Sequence, residues 1–233
     1  MNVYVWTNTM ENAYIGEFVP FTPWANTIAY YPLTSSTTTQ DKSWNNRNLT
    51  NNWTQFGTYA GVNCAYFSNS QSKKLYWNLP LTWNSAFTIN VWLYRLWYVD
   101  VVWSQIFLLW PINTAGYCLG LSLEWNTWEY KYYTWGSDQK TSLVCPTNKW
   151  EMVTLTNDTS KVHLYVNGTL IKEWALTFNV NTTDFTIWAW NVIRNSNYQP
   201  FYWYMSELIA ESAVWTANQI QWYYNNTKSN YWL

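Results

Sequence analysis

Short stretches in which apolar and polar residues alternate, each closed by Asn, Asp, Gly, Ser or Pro, run along most of this chain. A period of two is that of a strand with one buried face, and many short strands between turn signals predict an antiparallel sandwich or barrel. Strands are expected over residues 27–31, 65–67, 86–94, 105–109, 117–123, 128–133, 150–156, 161–166, 169–172, 185–187 and 204–211. Asn157-Asp158-Thr159-Ser160 reads as a hairpin loop, and Asn167-Gly168 as a second, tighter turn. One segment changes period: residues 216–224 read as a helix, with Thr216 as N-cap and Gln219 three residues on closing a capping box. Residues 1–25 stand apart. They carry two related units, Tyr4-Val5-Trp6-Thr7 and Tyr14-Ile15-Gly16-Glu17, and end in Pro20-Phe21-Thr22-Pro23, so a small hairpin and linker precede a domain over 26–233.

The turns themselves are unusual. The chain has 21 Trp and 7 Gly, and several tryptophans stand among turn formers, as Trp44 does in Asp41-Lys42-Ser43-Trp44-Asn45-Asn46. Tight turns favour residues that tolerate positive φ, which glycine does and a bulky aromatic does not. In the paired units, Trp6 occupies the place of Gly16. One reading is that many of these tryptophans are glycines in the natural protein, through a genetic code that decodes UGA as glycine. The competing reading is a tryptophan-rich protein that stacks indoles on sugars. Under the first, Trp44, Trp188 and Trp203 should fall at turns or close strand contacts, often exposed, while Trp92 and Trp150 should be buried.

Charge narrows the partners. Only 11% of residues are charged, the formal net charge is −1, and Lys and Arg form no cluster, which argues against nucleic acid or anionic membrane. No apolar run approaches the ~20 residues that span a bilayer. The N-terminus shows no basic stretch followed by an apolar one, so no signal peptide is expected. Three cysteines, Cys64, Cys118 and Cys145, lack metal-ligand spacing. Buried free thiols are expected, a Cys118–Cys145 disulfide being the alternative.

From residue 26 onward the chain resembles the laminin-G-like, concanavalin A-like lectin and glucanase jelly-roll domains. The resemblance rests on motifs in order: Ile28-Ala29-Tyr30-Tyr31-Pro32-Leu33, then Asp41 to Asn46, then Phe87-Thr88-Ile89-Asn90-Val91-Trp92. Trp150-Glu151-Met152-Val153, Leu164-Tyr165-Val166-Asn167-Gly168 and Trp203-Tyr204-Met205-Ser206-Glu207-Leu208 follow. At Trp44, Trp188 and Trp203 tryptophan replaces a motif glycine. The resemblance implies an all-β antiparallel sandwich of jelly-roll type with one short C-terminal helix. The N-terminal unit is similar to short segments of phage tail and other virion structural proteins. That similarity implies a setting on a virion or extracellular surface beside other virion or surface proteins, with the N-terminal hairpin placed to anchor a homo-oligomer.

Glycosidases of this fold hold paired carboxylates about 5–9.5 Å apart. Glu124 and Glu129 are five residues apart and face opposite sides of an uninterrupted strand, while Glu207 and Glu211 share a face but stand roughly 13 Å apart. Catalysis is therefore not expected. His163, between Val162 and Leu164, reads as a rim residue, and no cysteine has an activating partner. Asp41 and Asn45 offer oxygens to calcium, as some domains of the family do; the plainer reading is an Asx-turn in which Asp41 accepts backbone N–H groups. For a ligand, Tyr130, Tyr132 and Trp135, with Arg95 on another strand, are the candidate lining of a sheet face that stacks on sugar; ordinary packing is the alternative. The chain thus reads as a non-enzymatic recognition module for carbohydrate or a cell-surface glycan. A structural virion or tail decoration protein and a diverged glycoside hydrolase are the alternatives.

Overall fold

The computed structural model describes residues 21–35, 39–52, 54–67, 74–78, 85–96, 104–109, 119–124, 126–133, 139–175, 184–187 and 203–233. Fifteen strands are found among them. They are β1 (Thr27–Tyr31), β2 (Thr50–Asn52), β3 (Gln55–Tyr59), β4 (Val62–Phe67), β5 (Lys74–Asn78), β6 (Phe87–Arg95), β7 (Ser104–Leu109) and β8 (Leu119–Leu123). After them come β9 (Glu129–Tyr133), β10 (Gln139–Val144), β11 (Trp150–Asn157), β12 (Lys161–Val166), β13 (Thr169–Ala175), β14 (Asp184–Ile187) and β15 (Trp203–Glu211). All pairings are antiparallel. One sheet runs β13-β12-β11-β6-β15-β4-β3, with β1 also pairing with β15, and the other runs β10-β9-β8-β7-β14-β5-β2. This is the expected antiparallel sandwich, closed by one helix, α1 (Ala217–Thr227), and a 3-10 turn, Lys228–Tyr231.

Two apolar layers hold it together. Between the sheets, Ile89, Val91, Leu155 and Leu208 of the eight-stranded sheet meet Phe107, Leu121, Leu123 and Tyr130 of the seven-stranded one. The opposite face of the eight-stranded sheet carries a second, aromatic layer: Tyr30, Trp92, Trp150 and Ile209 lie under Ile220 and Tyr223 of α1 and under Tyr231. Strict alternation places the two sets. In β15, Leu208 and Ala210 face the sandwich while Ile209 faces the helix. The Trp92 ring stacks on Tyr231 with centroids 3.9 Å apart.

Local signals act where expected. Thr216 caps α1 by accepting from the Gln219 N–H, and Gln219 returns the bond in a capping box. Asn167 and Gly168 take positive φ of 52° and 81°, the geometry of a two-residue turn matched to strand twist. Asp158 accepts from Ser160 and Lys161 across the β11–β12 loop. No described helix is long and apolar enough to cross a membrane.

The tryptophans divide. Trp92 and Trp150 are buried, and Trp44 is 73% exposed in its turn. Trp203, however, is buried between the sheets at the start of β15, and Trp188 lies outside the described residues. Trp128 and Trp232 both adopt a left-handed φ of 60°. Of the expected N-terminal hairpin and linker over 1–25, residues 1–20 lie outside the described residues, while Phe21 and Trp24 pack on the aromatic layer beneath α1.

Candidate functional site

The alternation of β9 is the key to the site, because it runs opposite to the expectation. Tyr130 and Tyr132 turn inward and are buried in the layer between the sheets, so neither presents a ring to a ligand. Lys131, between them, faces outward. Tyr132 stacks on Trp174 at 5.3 Å across the sandwich. Trp135 lies outside the described residues.

Arg95 and Tyr130 are nevertheless brought together, in an internal polar cluster at one end of the sandwich. Tyr130 donates to Glu151 at 2.6 Å, linking the sheets, and Asn167 donates to the other oxygen at 3.4 Å. Arg95 donates to the Pro146 carbonyl at 3.4 Å and lies 5.1 Å above the Trp128 ring. Burial raises the Glu151 pKa despite the Tyr130 hydrogen bond, and burial lowers that of Arg95. Cys145 is in the same cluster, and burial pushes its thiol up to about 12, as it does for Cys64. Both are free thiols. The cluster is a cross-brace whose side chains face one another.

Asp41 is likewise occupied. Its carboxylate accepts from the backbone N–H groups of Tyr30 at 2.9 Å, Ser43 at 2.8 Å and Arg47 at 2.9 Å, and from the Ser43 hydroxyl at 2.7 Å. Asn45 turns its amide NH2 toward the Thr27 and Ile28 carbonyls. Four donors around the carboxylate make this the Asx-turn arrangement, which pins the 41–48 loop to β1. Among the described residues, no group of three or more His, Cys, Asp or Glu side chains is placed to hold a metal.

The face of the seven-stranded sheet turned away from the sandwich carries a buried polar row. Register places Gln105 of β7 opposite Ser122 of β8, Ser122 opposite Lys131 of β9, and Lys131 opposite Lys140 of β10. Four polar side chains thus form one row across four strands. Gln105, Ser122 and Lys131 have exposures of 5%, 0% and 1%, so the row is desolvated. Glu124 balances the lysines, at 3.2 Å from Lys131 and 3.0 Å from Lys140. Burial opposes its ionised form, but the two ammonium groups outweigh that and hold its pKa below the usual value. Gln105 is the exception in this satisfied set: neither its amide oxygen nor its amide nitrogen has a hydrogen-bond partner.

An unpartnered buried amide has a cost. A buried polar atom left without a partner costs roughly 1–3 kcal/mol, and such atoms are uncommon in folded proteins. The amide has one acceptor and two donors free and lies opposite Ser122, while the Lys131 ammonium one strand further on is paired with Glu124. Sequence reasoning passed over this row because it looked for aromatic rings. The available signal was a polar residue held between apolar neighbours, as in Leu121-Ser122-Leu123 and Tyr130-Lys131-Tyr132.

No protein-family model matches the sequence, and no curated protein matches it. Solved structures do match in fold. The binding domain of Paraclostridial Mosquitocidal Protein 1 superposes with a TM-score of 0.68 at 16% identity, over 86% of this chain and 52% of that one. A botulinum neurotoxin type C structure, described in terms of cell entry dependent on two ganglioside molecules, gives 0.66 at 15% identity, over 87% and 51%. The botulinum neurotoxin serotype D ligand binding domain in complex with N-acetylneuraminic acid gives 0.66 at 16%, over 86% and 50%. The chain therefore spans about half the length of the structures it matches, and shares their β-sandwich fold.

Proposed function

We propose that the protein is a non-enzymatic recognition module that binds a cell-surface carbohydrate, as part of a virion or cell-surface assembly, at the polar row of its seven-stranded sheet, which a ligand reaches once the atoms covering Gln105, Ser122 and Lys131 move aside. The observation that carries the reading is the desolvated Gln105 amide with both polar atoms unpartnered, in a row with Ser122 and Lys131. The fold likeness supports it, since two of the matched structures are described with a ganglioside or with N-acetylneuraminic acid. The glutamates described around the sandwich are engaged structurally, which favours binding over hydrolysis. Glu124 is tied to two lysines, Glu151 to Tyr130, Glu207 to Tyr30, and Glu211 to Thr27.

Glycan-array binding by the full chain, compared with Gln105→Leu, tests the reading. Leucine has a similar volume and removes an unpaired amide, so the variant should keep or gain stability while losing glycan binding. Undiminished glycan binding by the variant would refute the site. Absence of binding to any glycan by the wild type would favour a purely structural decoration protein, and release of reducing sugar from polysaccharide would favour a glycosidase.

A further inference from the structure

The layer beneath α1 contains two carboxyl groups that the proposed recognition surface does not use. Glu207 and Glu211 lie on the helix-facing side of β15, and both are fully buried. Glu207 sits at a break in register between Ser206 and Leu208 with φ of 53°, a strained backbone for a non-glycine residue, and this break turns its side chain under the helix. Its Oε1 accepts from the Tyr30 hydroxyl at 3.2 Å and from the Phe21 N–H at 3.4 Å. Glu211 accepts from the Thr27 hydroxyl at 2.8 Å and from the indole N–H of Trp24. The two acids thereby fasten the N-terminal strap, Phe21–Trp24, to the sheet, while the strap packs edge-on against Tyr223 and Trp215.

Among the described residues, the groups facing these acids contain no cation. Around Glu207 the titratable neighbours are Tyr30 from β1, Tyr223 from α1 and Tyr231 from the 3-10 turn, with Cys64 of β4 beside Tyr231. Among the described residues, the partners around Glu211 are Thr27 and Trp24. Glu207 Oε2 and the Tyr223 hydroxyl are both buried without a well-formed hydrogen bond, although Tyr223 faces the carboxyl. The Tyr223 hydroxyl is a donor that favours the ionised carboxyl, and burial without a facing cation outweighs it.

We propose that Glu207 and Glu211 work as uncharged acids in a pH-sensitive clasp, which holds the Phe21–Trp24 strap and α1 on the eight-stranded sheet in acid and loosens as the two groups ionise. Burial, the largest influence on each, raises both pKa values to about 7, with the hydroxyl, indole and backbone hydrogen bonds pulling the other way. The sign follows from linkage. A carboxyl whose folded pKa is raised contributes a clasp that is complete below its unfolded value, near 4.5, and is lost as pH rises through about 7.

Hydrogen-exchange protection in the full chain, corrected for intrinsic rates, tests this. Between about pH 5 and about pH 9, protection of α1 should fall at least about tenfold relative to β11 and β12, since each unit of pKa shift corresponds to a tenfold change in equilibrium. The double variant Glu207→Gln/Glu211→Gln, which fixes the neutral form, should show no such difference. Protection of α1 that tracks β11 and β12 at every pH, or a double variant with the wild-type pH dependence, would overturn the proposal. A carbon-13 titration of the Glu207 carboxyl in the wild type decides the matter if the double variant does not fold. A midpoint near 7 supports the clasp, and a midpoint below 5 overturns it.

Discussion

Replacing Tyr130 by Phe removes one oxygen and tests whether this residue braces the two sheets. Its hydroxyl donates at 2.6 Å to Glu151, which is buried and otherwise accepts from Asn167 at 3.4 Å and from the weak Cys145 thiol donor. Hydrogen bonds to charged or strongly polar partners contribute about 1.5–3 kcal/mol, and a buried oxygen left short of donors adds to the loss. We expect a destabilisation of about 2 kcal/mol. With a urea m value of roughly 2.5 kcal/mol/M for a chain of this size, the midpoint falls by about 0.8 M while m stays constant. A cycle with Glu151→Gln should return a coupling of about 1 kcal/mol or more, because the two side chains touch. Glycan binding should be unchanged, since the ring is buried between the sheets. A midpoint shift below about 0.2 M, or a coupling near zero, would refute the cross-brace; loss of glycan binding in a fully folded variant would return Tyr130 to the ligand.

Other outcomes follow from local geometry. Thr159 is exposed with φ of 76°, a costly conformation for a β-branched residue, so Thr159→Gly should raise stability by about 1 kcal/mol in chemical unfolding. An unchanged or lowered midpoint would contradict that strain. Cys64 and Cys145 are buried with thiols raised to about 12, so a thiol reagent at neutral pH should modify them only on unfolding; rapid labelling of the native protein would show the layers to be open. Thr216→Ala removes the α1 N-cap and should cost about 1 kcal/mol, and a smaller loss of under about 0.3 kcal/mol would mean that packing alone sets the start of the helix.

The central strands were legible in the sequence because their patterns are strong. β1, β6, β11, β12 and β15 carry long alternating or fully apolar runs, and all but β12 are buried along nearly their whole length. β2, β3, β5 and β10 were not anticipated. β2, β3 and β10 end their sheets, where one side lacks a strand neighbour and polar sequences such as Thr50-Asn51-Asn52 and Gln139-Lys140-Thr141 suffice. The site was harder to read for a different reason. Period two shows that neighbours face opposite ways but does not say which face is inside, and tyrosine suits both. Tyr130-Lys131-Tyr132 was therefore read with its faces exchanged. The strand pattern shows Glu207 only as sharing a face with Glu211, because its burial depends on a register break that no pattern announces. The tryptophan question is a matter for the gene: UGA codons at Trp44, Trp188 and Trp203 support glycine decoding, and UGG at all three refutes it.

The most direct test of carbohydrate recognition watches the Gln105 side chain itself. In nitrogen-15 spectra of the full chain, its amide NH2 pair is assigned by the resonances missing from Gln105→Leu, and a glycan selected on the array is then titrated in. The account predicts that these two resonances shift and saturate together with the binding curve, as the unpartnered amide acquires its partner. Saturating glycan that leaves them unmoved while other residues shift would contradict it.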